Sequence, residues 1–344
     1  MTEEPEHVMN TSKQIEAHNA GQRNAIVVKA ANGVEVDLGI GVNCVVRVKV
    51  GPLNPDYTHF SVVSLEFAQG GYLDFHSHRF SERVVICSQG SGWVYAEGKR
   101  HPVSKGTTMF WGNGLPVKVE QVGEEPLLLS VIALPPGPES RVDLFGYTSD
   151  HQMDLAALRE IVGVRLQAEV SAQTAGGNFV IVQENEGDEY WQAAPSLGVV
   201  SIMLAPPALP VTHFCVASQQ LDPGAFVRPH GHVLSEEIVI VTEGAGAAVV
   251  NGVEYAIAAG DLIVLPPPLI HNFINNSEKP LKYCGVFLPP SVEAALRETG
   301  IHKLPGQPRP DVKRNPMTER LLVEKYGFII PGVSQKEPAT LETT

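Results

Sequence analysis

At 344 residues, 43% of them hydrophobic, the chain is long enough for two domains of ordinary size, each with its own core. A formal net charge of −13 lacks the basic footprint of a nucleic-acid binder. No apolar run reaches the ~18 residues of a membrane helix, which excludes a helical membrane span.

The first residues, MTEEPEHVMNTSKQIEAHNAGQ, are acidic and polar, unlike a signal peptide. Residues 1–22 read as a polar arm that either packs on a partner subunit or frays. The four cysteines (Cys44, Cys87, Cys215, Cys284) are scattered without a C-x-x-C pair and read as reduced core thiols. Together these features predict a cytoplasmic protein with neither membrane nor nucleic acid as partner. Glycine (32) and proline (27) punctuate short apolar runs, the pattern of an all-β protein with many turns.

From residue 24 onward the chain repeats itself. A shift of 154 residues aligns Thr58-His59-Phe60 with Thr212-His213-Phe214, and Gly70, His76 and His78 with Gly224, His230 and His232. Gly90, Gly98 and Gly106 meet Gly244, Gly252 and Gly260, and Leu134-Pro135-Pro136 meets Leu288-Pro289-Pro290. The predicted division is an N-terminal domain over 23–150, a linker helix over 151–172 and a C-terminal domain over 173–291. The linker call rests on helical apolar spacing from Asp154 to Ser171. Residues 292–344 read as a C-terminal helix and strap. Ser291 serves as N-cap and Gly300 as stop, a proline-rich strap follows, and residues 321–330 form a last helix or strand.

Chemistry concentrates in the second copy. His230 and His232 are two apart, so an extended strand points both to one face. Glu237 follows at the start of the β-branched run Glu237-Ile238-Val239-Ile240-Val241, and His271 lies beyond Pro266. Three imidazoles and one carboxylate form a mixed N/O shell for one divalent transition metal per chain. The first copy keeps His76 and His78 but has Arg83 where Glu237 stands and Val117 where His271 stands. An arginine aimed at a cation site opposes metal binding, so this copy reads as a scaffold or a small-anion site. Arg228 shares the parity of His230 and either faces inward to hold an anionic group or reaches solvent. Phe273 and Asn275 share the face of His271, as pocket lining or as plain core. His213 recurs as His59 and is carried as a further pocket candidate.

Gly224, five residues, His230-x-His232, four residues, Glu237, six residues and Gly244 resemble the first cupin motif. Gly260, Pro266, His271 and Asn275 resemble the second, with Pro268 where the family has glycine. The chain is thus similar to bicupins, two tandem cupin β-barrels (jelly-rolls) with a few short helices. The resemblance implies His230, His232, Glu237 and His271 as ligands. The expected ion is Fe2+ first, then Mn2+, Ni2+, Co2+ or Zn2+. It also implies a metal-dependent dioxygenase acting on a small anionic, aromatic or enolic substrate, with Glu237 as ligand and proton acceptor. Arg228, Phe273, Asn275 and His213 are the expected substrate-binding residues. The rival readings are a redox-neutral metal isomerase, decarboxylase or hydrolase, and a non-enzymatic metal or small-molecule binder. A homo-oligomer is expected.

Overall fold

The structure is a computed structural model that describes residues 23–36, 41–51, 59–78, 81–136, 164–166, 178–194, 196–311 and 313–333. Short β-branched runs separated by glycine turns form antiparallel sheets of eleven, eight, three and two strands among the described residues, the eleven-stranded one built mainly from the first copy and the others mainly from the second. Gly90 (φ 74) and Gly244 (φ 79) occupy the same turn in each copy. A Cβ there would lie 2.2 Å from Pro126 O and 2.3 Å from Pro280 O, so both the left-handed backbone and the close approach need glycine.

The copies exchange their first strands. Ile26–Val28 pairs with Leu262–Leu265 of the second barrel, with Ile26 opposite Val264. Phe179–Val182 pairs with Thr108–Trp111 of the first, with Val180 opposite Phe110. The sequence boundaries near 23 and 173 therefore do not separate the barrels in space.

Alternation along each strand splits the core. In Glu236–Glu243, Val239 and Val241 point into the second barrel, while Ile238 and Ile240 point into an apolar layer between the barrels. That layer joins Phe60, Val84, Ile86, Phe110 and Ile132 of the first barrel to Phe214, Val216, Ile238, Ile240 and Val286 of the second. Phe110 and Phe214 meet there at 5.9 Å between ring centroids. A reciprocal polar rim flanks it. His59 Nε2 lies 2.7 Å from Glu236 Oε2, and its repeat partner His213 lies 3.2 Å from Glu82 Oε2. Ser81 and Ser235 each donate to a proline carbonyl of their own copy, Pro135 O and Pro289 O, at 2.8 Å.

The helix expected over 151–172 falls outside the described residues except at Val164–Leu166. Those three residues are extended and pair with His76–His78. Ladder hydrogen bonds to an existing sheet edge prevail there over helical apolar spacing. Beyond the second barrel, helix α1 (Val292–Thr299) packs Val292 and Leu296 on the cluster of Tyr190, Cys215 and Phe287. Ser291 precedes it without a side-chain cap; its hydroxyl lies 2.9 Å from Ser235 Oγ instead. Helix α2 (Pro316–Tyr326) is capped by Asn315, which accepts from Met317 N, and stops at Gly327 in the left-handed conformation. Strand Phe328–Ile329 then pairs with Gly231–His232, so this last stretch lies over the mouth of the second barrel. No described helix is long and apolar enough to cross a membrane.

Candidate metal centre

Three elements bring the four expected ligands together. His230 and His271 form an antiparallel bridge, with His230 N donating to His271 O at 3.0 Å and the reverse bond at 2.7 Å. His232 sits in the two-residue strand under Phe328, and Glu237 lies opposite Phe287 and Leu265 on its two neighbouring strands. One ligating atom from each of His230, His232, Glu237 and His271 lies within 4.8 Å of all the others. Residues up to 41 positions apart in the chain, His230 and His271, thus converge.

The donor set fits a cation. His230 Nδ1 and His271 Nδ1 lie 3.0 Å from the carbonyls of Arg228 and Leu269, which fixes the Nδ1–H tautomer and leaves each Nε2 lone pair free. Glu237 Oε2 lies 2.9 Å from His271 Nε2 and 3.6 Å from His232 Nε2. Yet Glu237 Oε2, His271 Nε2 and both His232 ring nitrogens are buried without a hydrogen bond. One lone-pair nitrogen from each imidazole, crowded against a buried carboxylate oxygen, fits a divalent transition ion. Burial holds His230 well below the ordinary histidine range, assisted by the neighbouring His271 and His232 and opposed by Glu237. Burial also lowers His232, against the pull of Glu237. For Glu237, burial pushes the carboxyl up, but His232 and His271 outweigh it and keep the group ionised. Neutral imidazoles and a carboxylate are the protonation states a metal requires.

His230, His232 and Glu237 line an apolar cavity of about 180 Å³. Val227, Phe273, Phe287, Leu296, Leu322 and Phe328 supply most of its wall. Phe328 sits 4.8 Å from His232 and 6.0 Å from His230 between ring centroids. Room for Glu237 comes from Gly285, where a Cβ would lie 3.0 Å from Glu237 Oε1 and 3.0 Å from the Phe287 ring.

The substrate-binding candidates divide. Arg228 lines the cavity, with its side chain 16% exposed, and is ion-paired with Glu319 of α2. Burial lowers its guanidinium and Glu319 offsets this. Phe273 lines the cavity and packs on Tyr283 at 4.5 Å. Asn275 is a correction. It is fully buried, its amide nitrogen donates to Leu221 O, Asp222 O and Lys279 O, and its oxygen accepts from Ser277. It ties off turns and has no capacity left for a ligand. His213 is a second correction. It is half exposed on the interbarrel rim beside Glu82, not in the cavity wall.

The first barrel takes a different course at the matching positions. His76 Nδ1 meets Asp74 O at 2.8 Å, and its strand pairs with Val117. Arg83 Nη2 lies 2.9 Å from His78 Nδ1, with both residues buried. Val85 and Cys87 fill the interior beside them, with Leu65, Leu129 and Val131.

Residues 217–287 match the family described as the cupin domain. Among solved structures, the chain is similar to oxalate decarboxylase of Lactobacillus farciminis. The two are 17% identical, with 78% of this chain and 88% of that one covered at a TM-score of 0.55. Protein YlbA of Escherichia coli is 12% identical, with 80% and 96% covered at 0.56. Procruciferin, an 11S globulin of Brassica napus, is 12% identical, with 79% and 87% covered at 0.55. The chain has the bicupin fold. At such identities the neighbours establish architecture alone, and they include an enzyme and an 11S globulin. No curated protein matches the sequence.

Several residues of this bicupin site escaped the sequence reading. Glu319, Leu322 and Phe328 come from the C-terminal stretch, and nothing local marks them as barrel-mouth residues. Gln219, Tyr283 and Gly285 were detectable by comparing the copies, because their repeat partners are Leu65, Leu129 and Val131.

Proposed function

We propose that the second barrel is the active site of a metal-dependent dioxygenase acting on an anionic substrate with an apolar, aromatic or enolic body. The observation that carries this reading is the convergence of three imidazoles and one carboxylate, three of these four residues lining an apolar cavity. A divalent ion held by His230, His232, Glu237 and His271 would supply Lewis acidity and redox capacity.

The chain's own residues do the rest. Arg228 holds the substrate's anionic group as its guanidinium turns from Glu319 toward the cavity. Phe273, Phe287 and Phe328 grip the apolar body and exclude water, which strengthens every charge interaction at the cluster. Glu237 Oε2, an acceptor without a donor, takes the proton of an acidic hydroxyl as the substrate enters. The apolar wall favours this substrate over a small dianion, which would need more than one cation in the cavity.

The test is metal analysis of protein purified without a nickel column, followed by oxygen uptake with aromatic enolic acids. One Fe2+ or Mn2+ per chain and stoichiometric oxygen consumption are expected. Turnover without oxygen uptake would replace this reading with a redox-neutral one.

A further inference from the structure

The barrels share one backbone plan, so differences between repeat-matched interior positions report what each barrel is for. Along two adjacent strands of the first barrel, Val63, Leu65, Leu129 and Val131 point inward and fill the core. Their partners in the second barrel are Ala217, Gln219, Tyr283 and Gly285, all lining the cavity. Two positions have lost bulk and two have gained polar groups. The lost bulk accounts for the cavity, but the gained polarity needs its own account.

Gln219 and Tyr283 stand directly opposite one another, Gln219 on Cys215–Leu221 and Tyr283 on Leu281–Leu288. Tyr283 is 2% exposed, and its ring is fixed against Phe273 at 4.5 Å. Its hydroxyl is buried without a hydrogen-bond partner, as is the side-chain nitrogen of Gln219. A buried polar group without a partner is costly, and the first barrel fills both positions with apolar side chains, Leu65 and Leu129. Tyr283 lies two strand residues, ~7 Å, from Gly285, the position that abuts Glu237 Oε1. The pair therefore stands one strand repeat beyond the Glu237 carboxylate on the same cavity face.

Resting on the proposed function, we infer that Gln219 and Tyr283 form a second recognition point that reads a neutral oxygen, a hydroxyl or carbonyl, at the far end of the substrate. The substrate class is then an apolar-bodied acid with a metal-chelating anionic head and an uncharged polar tail. A Gln amide donates and a Tyr hydroxyl both donates and accepts, which suits such an oxygen. A charged tail is disfavoured, because Arg228, the one Lys or Arg lining the cavity among the described residues, is assigned to the anionic head.

The experiment uses the full chain loaded with Co2+ under anaerobic conditions. Two probes are titrated, phenylacetohydroxamate and its 4-hydroxy derivative, which share a chelating head and differ by one distal hydroxyl. Wild type should bind the hydroxylated probe roughly tenfold more tightly, since a site built to pair a hydroxyl rejects the analogue lacking it. Gln219→Leu and Tyr283→Phe should abolish that preference and leave metal content unchanged. Both variants, metal-free, should melt at an equal temperature or roughly 1–4 °C higher, because each removes an unpartnered buried group. Equal affinity of wild type for the two probes, or a lower melting temperature of the metal-free variants, would overturn the inference. Neither readout involves oxygen, so a failure of the dioxygenase reading appears separately, as absent oxygen uptake with the probe preference intact.

Discussion

Gly285→Ala probes the centre with a single added carbon. A Cβ at Gly285 would sit 3.0 Å from Glu237 Oε1 and 3.0 Å from two atoms of the Phe287 ring. Comfortable separation is about 3.5 Å or more, so the neighbours must retreat by roughly 0.5 Å. In the metal-free protein this costs little, since the Glu237 carboxylate is free to move and a strand accepts alanine readily. With metal bound the carboxylate is held, and ligand distances tolerate only ~0.2 Å of error. The misfit should therefore appear as weakened metal binding, about 10–100-fold, the range seen when ligand support is disturbed. That is ~1.4–2.7 kcal/mol. Competition titration with a chromophoric chelator measures it, alongside thermal melting of the metal-free form. The reverse exchange in the first barrel, Val131→Gly, should leave metal binding unchanged. A Gly285→Ala dissociation constant within twofold of wild type would refute the idea that Gly285 is kept small for Glu237.

His271→Ala should strip most metal while the barrel stays folded, read by metal analysis and circular dichroism; full metal content would remove His271 from the ligand set. Arg228→Ala should raise KM for an anionic substrate with normal metal content, Arg228→Lys should rescue only partly, and Glu319→Gln should lower KM by releasing the guanidinium. Phe214→Ala, at the buried ring contact with Phe110, should cost ~3–5 kcal/mol and loosen the two barrels together, visible as one shifted unfolding transition rather than two. Burial pushes the thiols of Cys44, Cys87 and Cys284 up to about 12 from an ordinary 9.0. Their folded values lie above the unfolded one, so the stability they contribute is full below pH 9 and is lost as the pH rises toward 12. Thiol reagents should accordingly leave all three unmodified at pH 8.5 until denaturant is added.

The repeat and the ligand set were legible because both are encoded as fixed offsets. A strand of period two converts His-x-His into two side chains on one face, and Glu237 falls at the motif's fixed offset, on the inward face of the next strand with Val239 and Val241. Parity tells which face a residue takes, but not what occupies that face. Asn275 has the parity of His271 but stands just past a strand end, where bare turn carbonyls await a donor. Gln121, its repeat partner, donates to Gly123 O and Glu125 O in the same way. A residue that does one job in both barrels was the signal that the job is structural. His213 and His59 carried that signal too. What the sequence could not reveal is long-range pairing. The exchange of Ile26–Val28 and Phe179–Val182, the strand at Val164–Leu166 and the Arg228–Glu319 pair each depend on which edge or charge is near in space.

The two barrels also bear on why one fold holds two such different interiors. The layer between them is built from the outward faces of the strands, and there the copies match: Phe60 repeats as Phe214, Val62 as Val216, and Val84 and Ile86 as Ile238 and Ile240. The inward faces have diverged, from a filled core around Arg83 to a cavity lined by Glu237. Strand alternation makes this separation possible, since a change at an odd position of Glu236–Glu243 leaves the even, interbarrel positions undisturbed. The first barrel's filled core then supports a shared layer on which the second, with its hollow interior, is also packed. Marginal stability is a property of the whole molecule, so a site that costs free energy in one half is sustained by close packing in the other.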